Sequence, residues 1–172
     1  MNESAQELKL LMLQAPRFTL AVAESITCGR VQARVGKISG ASEFFLGGIT
    51  AYSLAQKVKL LGVDRRAAKR VNSVSAGIAE QMARGVCQLF GSDLGVATTG
   101  YAEPSPTDGV AVPFAWWAVA RRDGEKFALR SGRVECLRAT RIDAQKIVAK
   151  AALAELVIFL REWRGEKSKG KS

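Results

Sequence analysis

The stretch Phe18-Thr19-Leu20-Ala21-Val22-Ala23-Glu24-Ser25-Ile26-Thr27-Cys28-Gly29 decides the fold. Apolar and β-branched residues fill its first half and predict a strand over 18–23. A turn of small and polar residues follows, and a helical pattern carrying Val31, Ala33 and Val35 starts near Gly29. Strand, tight turn and helix in that order mark an α/β protein. At such a junction the carboxyl end of a strand meets a helix N-terminus, where phosphates and nucleophiles are held. Here the turn concentrates Glu24, Ser25 and Thr27.

Outward from this junction, strands and helices alternate. Residues 4–14 carry Leu8, Leu11 and Leu13 at near-helical spacing and predict a first helix. After a loop at 37–40, Ser42 reads as the N-cap of a short turn, and Gly47-Gly48 as the opening of a strand over 49–52. Residues 53–61 predict a helix closed by Gly62, and 64–70 a short basic one. Ser75 caps a helix over 76–90 that Gly91 ends, with Ile78, Met82, Val86 and Leu89 on one face. A strand over 94–99 leads into a Gly/Pro/Ser/Asp-rich loop at 100–109. Two strands at about 110–120 and 126–134 follow, turning at Arg122-Asp123-Gly124, and a long helix covers about 139–163. The pattern predicts a three-layer α/β/α sandwich, and the terminal hairpin makes its sheet mixed.

Composition narrows the functional classes. The 172 residues fit one domain, read as 1–163, with a basic tail at 164–172 read as disordered. There is no run of about 18 apolar residues and no basic-then-apolar leader at the N-terminus, so the expectation is a cytoplasmic protein without a membrane partner. Cys28, Cys87 and Cys136 are isolated, which supports neither a zinc ribbon nor a disulfide framework. Histidine is absent. That removes Ser-His-Asp and Cys-His catalysis and every imidazole metal site, leaving proton transfer to Lys, Tyr, Glu, Asp, Cys or Arg. The expectation is a site with neither metal nor cofactor. The net charge of +10 raises nucleic acid as a partner. Much of the excess is in the C-terminal tail, however, and the scattered remainder reads as a solvated basic surface that an anionic substrate would also suit, so nucleic acid is not the expected partner.

Four clusters carry chemistry. Glu24-Ser25-x-Thr27-x-Gly29 offers hydroxyls and backbone N–H groups to a phosphate. Gly40-Ala41-Ser42 with Gly47-Gly48 permits close backbone approach. Tyr52 and Lys57 form a third cluster, since a lysine beside a serine hydroxyl in a partly desolvated site acts as a general base once its pKa falls, with tyrosine as a relay. Thr98-Thr99-Gly100-Tyr101-Ala102-Glu103-Pro104 puts polar groups at the carboxyl edge of the sheet, the ligand side of an open α/β fold.

In this order the clusters resemble the C-terminal domain family of CinA, the competence/damage-inducible or PncC family. The resemblance rests on Ala23-Glu24-Ser25, Gly40-Ala41-Ser42, Phe45, Gly47-Gly48, Tyr52, Lys57, Leu61-Gly62-Val63, Val74-Ser75, Ala79, Met82-Ala83 and Thr99-Gly100, across about residues 5–162. It implies an amidohydrolase that deamidates nicotinamide mononucleotide to nicotinic acid mononucleotide and ammonia, in a homodimer. By resemblance Ser25, Ser42, Tyr52, Lys57 and Thr99 line the site. A serine nucleophile assisted by lysine suits a chain without histidine. The attacking group is Ser42 or Ser25, with Lys57 taking the proton through or beside Tyr52. Substrate binding falls to Glu24, Thr27, Gly29, Gly47, Gly48, Thr99, Gly100 and Arg141, the last pairing with the phosphate.

The chain departs from the family pattern in the same loops. Cys28 replaces the first glycine of Thr-Gly-Gly, Leu54 an asparagine, Glu103 the glycine of Ala-Gly-Pro, Ser105-Pro106-Thr107-Asp108 a glycine pair, and Gln145 a second arginine. These departures define the alternative: a divergent paralogue without this activity, a nucleotide-binding or regulatory protein.

Overall fold

The computed structural model describes residues 3–169. Five strands form one sheet in the order β2-β1-β3-β4-β5. They are β1 (Leu20–Glu24), β2 (Phe45–Thr50), β3 (Leu94–Tyr101), β4 (Phe114–Asp123) and β5 (Lys126–Glu135). β1 runs parallel to both β2 and β3, whereas β4 and β5 are antiparallel additions. The helices are α1 (Glu3–Leu13), α2 (Arg30–Gly36), α3 (Leu54–Leu61), α4 (Arg65–Arg70), α5 (Ala76–Phe90) and α6 (Arg141–Lys169). This is the mixed α/β/α sandwich that the sequence predicts.

The period of two in the strands sorts the core into unlike halves. Leu20 and Val22 of β1, Leu94 and Val96 of β3, and Trp117 and Val119 of β4 face α1, α2 and α6. Their neighbours Ala21, Ala23, Ala97, Ala118 and Ala120 face α3, α4 and α5. Small residues let α5 settle close to the sheet. A Cβ on Gly95 would sit 2.1 Å from the Ala83 carbonyl oxygen, and one on Gly85 2.1 Å from that of Leu61. Neither glycine admits a side chain.

Several local expectations change. Gly47 and Gly48 lie inside β2 rather than before it, because close neighbours require them there. A Cβ on Gly48 would meet the Val22 carbonyl oxygen at 2.6 Å, and Gly47, at φ 134°, packs on the Phe90 ring. Ser42 sits within a 3-10 turn (Ala41–Glu43) whose N-cap is Gly40 at φ 80°, so Ser42 caps nothing. β1 starts two residues later than expected, since the Phe18 N–H bonds the Met12 carbonyl and Thr19 is tied to the Asp93 carboxylate. β4 starts at Phe114, because Val110 is held in the preceding loop by a bridge to Ser105.

The segment expected as a disordered tail is helical as far as Lys169; positions 170–172 of that expectation lie outside the described residues. Arg164 explains part of the difference. Its guanidinium donates to the carbonyls of Leu11, Gln14, Ala15 and Pro16, which binds α6 to the end of α1. Among the described residues no helix is long and apolar enough to cross a membrane.

Candidate active site

The carboxyl ends of β1 and β3 are next-door neighbours, with Glu24 paired to Thr98. The turn after β1 therefore opens beside the loop after β3, and the two bound a cleft of about 350 Å³. Ser25 follows the last residue of β1, and its N–H is fixed by the Thr98 carbonyl at 3.0 Å. From the far side comes Lys57. Ser53 caps α3 through the Gln56 N–H and Gly62 ends it at φ 64°, which sets the helix register so that Lys57 and Leu61 point inward.

Lys57 is 2% exposed. Its Nζ lies 2.9 Å from Ser25 Oγ and donates to the Tyr52 carbonyl at 2.8 Å. No carboxylate is within ion-pairing distance among the described residues. Burial without a counter-charge disfavours the ammonium and pulls the pKa down from 10.5 to about 8. Near neutral pH a useful fraction of Lys57 is thus free amine beside a serine hydroxyl. Such a pair can abstract the serine proton as Oγ attacks a carbonyl carbon. Of the N–H groups in this turn, that of Ile26 lies in the cleft lining and has no backbone acceptor among the described residues, which leaves a donor beside Ser25 for a developing oxyanion.

The other expected site residues divide. Thr99, Gly100, Tyr52 and Arg141 line the cleft with Ser25 and Lys57. Tyr52 does so differently from expectation. Its backbone carbonyl holds Lys57, while its phenol oxygen, at the mouth, accepts from Arg141 Nη2 at 2.8 Å. Among the described residues the phenol makes no hydrogen bond to Lys57 or Ser25. Thr99 Oγ1 donates to the Ser73 carbonyl at 2.8 Å and holds the 72–74 loop against the cleft.

Ser42 is not in the cleft. The Phe45 end of β2 pairs with Leu20, so Ser42 is exposed at the opposite edge of the sheet, separated from Ser25 by more than the length of β1, about 13 Å. Gly47 and Gly48 are likewise packing positions in β2, remote from the cleft lining. Glu24, expected to touch substrate, is fully buried and points away: its carboxylate accepts from the Val31 and Gln32 N–H groups at 3.1 and 2.9 Å, capping α2. Thr27 is buried in a hydroxyl pair with Thr98 at 2.7 Å, and Gly29 supplies φ 91° at the start of α2. These three shape the turn that presents Ser25 and do not line the cleft.

The departures from the family pattern are visible too. Cys28 adopts φ 49°, a left-handed conformation that glycine enters without strain. Glu103 Oε1 accepts from Arg141 Nη1 at 2.7 Å, and both side chains stand at the cleft mouth. Leu54 adds an apolar wall. Gln145 accepts from Arg30 Nε at 3.0 Å and has turned away from the cleft.

Sequence reasoning missed the 72–74 wall. Asn72 and Ser73 take φ 46° and 61° in succession, and Asn72 Nδ2 donates to the Tyr101 phenol oxygen at 3.0 Å. The signal available was the Asn-Ser pair ahead of the Ser75 cap, a type of sequence that tolerates left-handed backbone.

A mixed α/β sandwich with a buried Ser–Lys pair at its carboxyl edge defines a class, and comparison with known proteins supplies the family. Residues 2–160 match the model of the CinA C-terminal domain, and the chain belongs to that family. It is 38% identical over 154 residues to a CinA-like protein of Chlorobium limicola, covering 88% of this chain and 35% of that protein. It is 36% identical over 143 residues to a putative competence-damage inducible protein of Desulforamulus reducens, covering 77% and 35%. The chain thus spans about a third of the length of these curated relatives. A crystal structure of a competence-damaged protein (CinA) superfamily protein from Enterobacter cloacae superposes with a TM-score of 0.83 at 26% identity, covering 92% of this chain and 90% of that one. Competence damage-inducible protein A from Klebsiella pneumoniae gives 0.83 at 26%, covering 94% and 97%.

Proposed function

We propose that the chain is a serine–lysine amidohydrolase that releases ammonia from the carboxamide of nicotinamide mononucleotide. The observation that carries this reading is the buried Lys57 amine, 2.9 Å from Ser25 Oγ with a pKa near 8. Neutral Lys57 takes the Ser25 proton as Oγ bonds to the carboxamide carbon. The Ile26 N–H, next to Ser25 in the cleft lining, receives the oxyanion. The Lys57 ammonium then returns the proton to the amide nitrogen, the C–N bond breaks, and ammonia departs. Water, deprotonated by the same amine, attacks the resulting ester and frees the carboxylic acid and Ser25. Arg141 stands at the mouth where a ligand's anionic end would lie.

One observation favours a second reading, nucleotide binding without turnover. Glu103 already occupies one Arg141 nitrogen at 2.7 Å, so a phosphate must compete with a carboxylate for that guanidinium. The test is ammonia release from nicotinamide mononucleotide by purified protein, with Ser25→Ala and Lys57→Ala controls and calorimetric titration of the Ser25→Ala variant. Turnover lost in both controls supports the hydrolase. Saturable binding with no turnover by the wild type supports the second reading.

A further inference from the structure

A second concavity lies on the opposite layer from α3 and α5, between α2 and α6 and closed at one end by α1. Its volume is about 570 Å³, larger than that of the cleft beside Ser25. Its floor is apolar: Leu8, Ile38, Leu153 and Val157, with Ala33 and Ala154 on its sides. Its walls are cationic. Arg30 and Arg34 of α2 and Lys37, its C-cap, line one side at intervals of four and three residues. Lys146 and Lys150 fall on the facing stripe of α6, four apart. No carboxylate lines the concavity.

The charges are also poorly neutralised. Lys146 has Asp143 at 3.2 Å, and Arg30 has only the neutral Gln145 oxygen at 3.0 Å. Among the described residues Arg30, Arg34, Lys37 and Lys150 have no ion-pair partner. Like charges held in facing rows repel, and the proposed hydrolysis uses none of them.

We propose that this trough is a docking site for an acidic amphipathic helix of a partner protein, whose apolar stripe lies on the floor and whose carboxylates on both flanks meet the α2 and α6 rows. The arrangement of charge selects this occupant. A helix set in a groove offers apolar anchors at intervals of three and four residues, with flanks free to carry charge on both sides. The α6 wall from Lys146 to Val157 is about 16 Å long and the α2 wall about 10 Å, or two to three helical turns. A single-headed amphiphile carries its charge at one end and leaves one row unmatched. A nucleic-acid backbone matches both rows but leaves the apolar floor uncovered. This inference is independent of the chemistry at Ser25.

The test uses a fluorescein-labelled, helix-forming peptide of about five turns, with a leucine/alanine stripe and glutamates on both flanks, and a scrambled isomer of equal charge. Anisotropy is expected to give saturable binding at least about tenfold tighter than for the isomer, with helix content rising on binding. Paired Arg34→Glu and Lys150→Glu substitutions are expected to weaken it roughly 30-fold or more. Ala33→Trp, which fills the trough without changing its charge, is expected to abolish it. Unchanged thermal unfolding confirms that these variants fold. Equal binding of the scrambled isomer, tight binding by Ala33→Trp, no binding of the peptide, or tighter binding of dodecanoate or a DNA duplex each overturns the proposal.

Discussion

Two serines in this chain sit close to glycines, between a strand and a helix, and from sequence they look alike. Ser25 follows β1 and Ser42 precedes β2. β1 and β2 are parallel neighbours, so the end of one and the start of the other fall at opposite edges of the sheet. At Ser25 the edge gathers a buried amine, an Ile26 N–H with no backbone acceptor among the described residues, and a cleft. At Ser42 there is an exposed 3-10 turn, and the nearby glycines serve packing. A hydroxyl becomes a nucleophile through its neighbours, and in an open α/β sheet those neighbours collect at the carboxyl edge.

The largest effects should separate the two edges outright. Ser25→Ala or Lys57→Ala is expected to lower kcat/KM for ammonia release by about a thousandfold or more, since nucleophile and base act as a unit. Residual turnover within tenfold of wild type in either variant would remove the Ser25 edge from the chemistry. Lys57 also predicts a pH profile. Because its folded pKa is about 8, kcat/KM should rise about tenfold per unit below pH 8 and level off above it. A profile flat from pH 6 to about 9 would mean that another group is the base.

Stability should show the same asymmetry. Below pH 8 the folded chain buries an ammonium that the unfolded chain hydrates. Between about 8 and 10.5 the folded amine is neutral while the unfolded one is still charged, so this contribution improves as pH rises. Lys57→Met should therefore stabilise the fold at pH 7 by up to about 3 kcal/mol while destroying activity, with the gain shrinking toward pH 10.5. Urea melts at the two pH values measure this. Between the two edges, inside β2, Gly48→Ala, whose new Cβ meets a backbone oxygen at 2.6 Å, should cost about 2–3 kcal/mol, or roughly 5–10 °C in Tm. The smallest effect belongs to Ser42→Ala: activity within about twofold and stability within about 0.5 kcal/mol.

What could be read from the sequence follows from which signals are local. α3 and α5 were predicted almost to the residue because Ser53, Gly62, Ser75 and Gly91 mark their ends by hydrogen bonds made within the helix itself. The layered fold followed from the alternation of strands and helices. β2 was misjudged because Gly47 and Gly48 look like a turn, whereas what demands glycine there is a ring on α5 and a carbonyl on β1, both distant in sequence. The sequence groups Lys57 with Tyr52, and the two meet in the cleft, but sequence spacing does not show that the Tyr52 carbonyl rather than its phenol faces the amine. Glu24 was misassigned for a similar reason: a carboxylate beside a serine looks catalytic until helix α2 is seen to sit on it. Asn72 and Ser73 escaped notice because their role depends on contacts with Thr99 and Tyr101 at the end of β3.

Of the cysteines, Cys28 is exposed, whereas Cys87 and Cys136 are buried and their thiols are pushed up in pKa by that burial. An alkylating dye applied to the native protein will therefore mark a single position, three residues from Ser25 in the same turn. The molecule thus carries its own optical handle on the turn that presents Ser25, without engineering a label site.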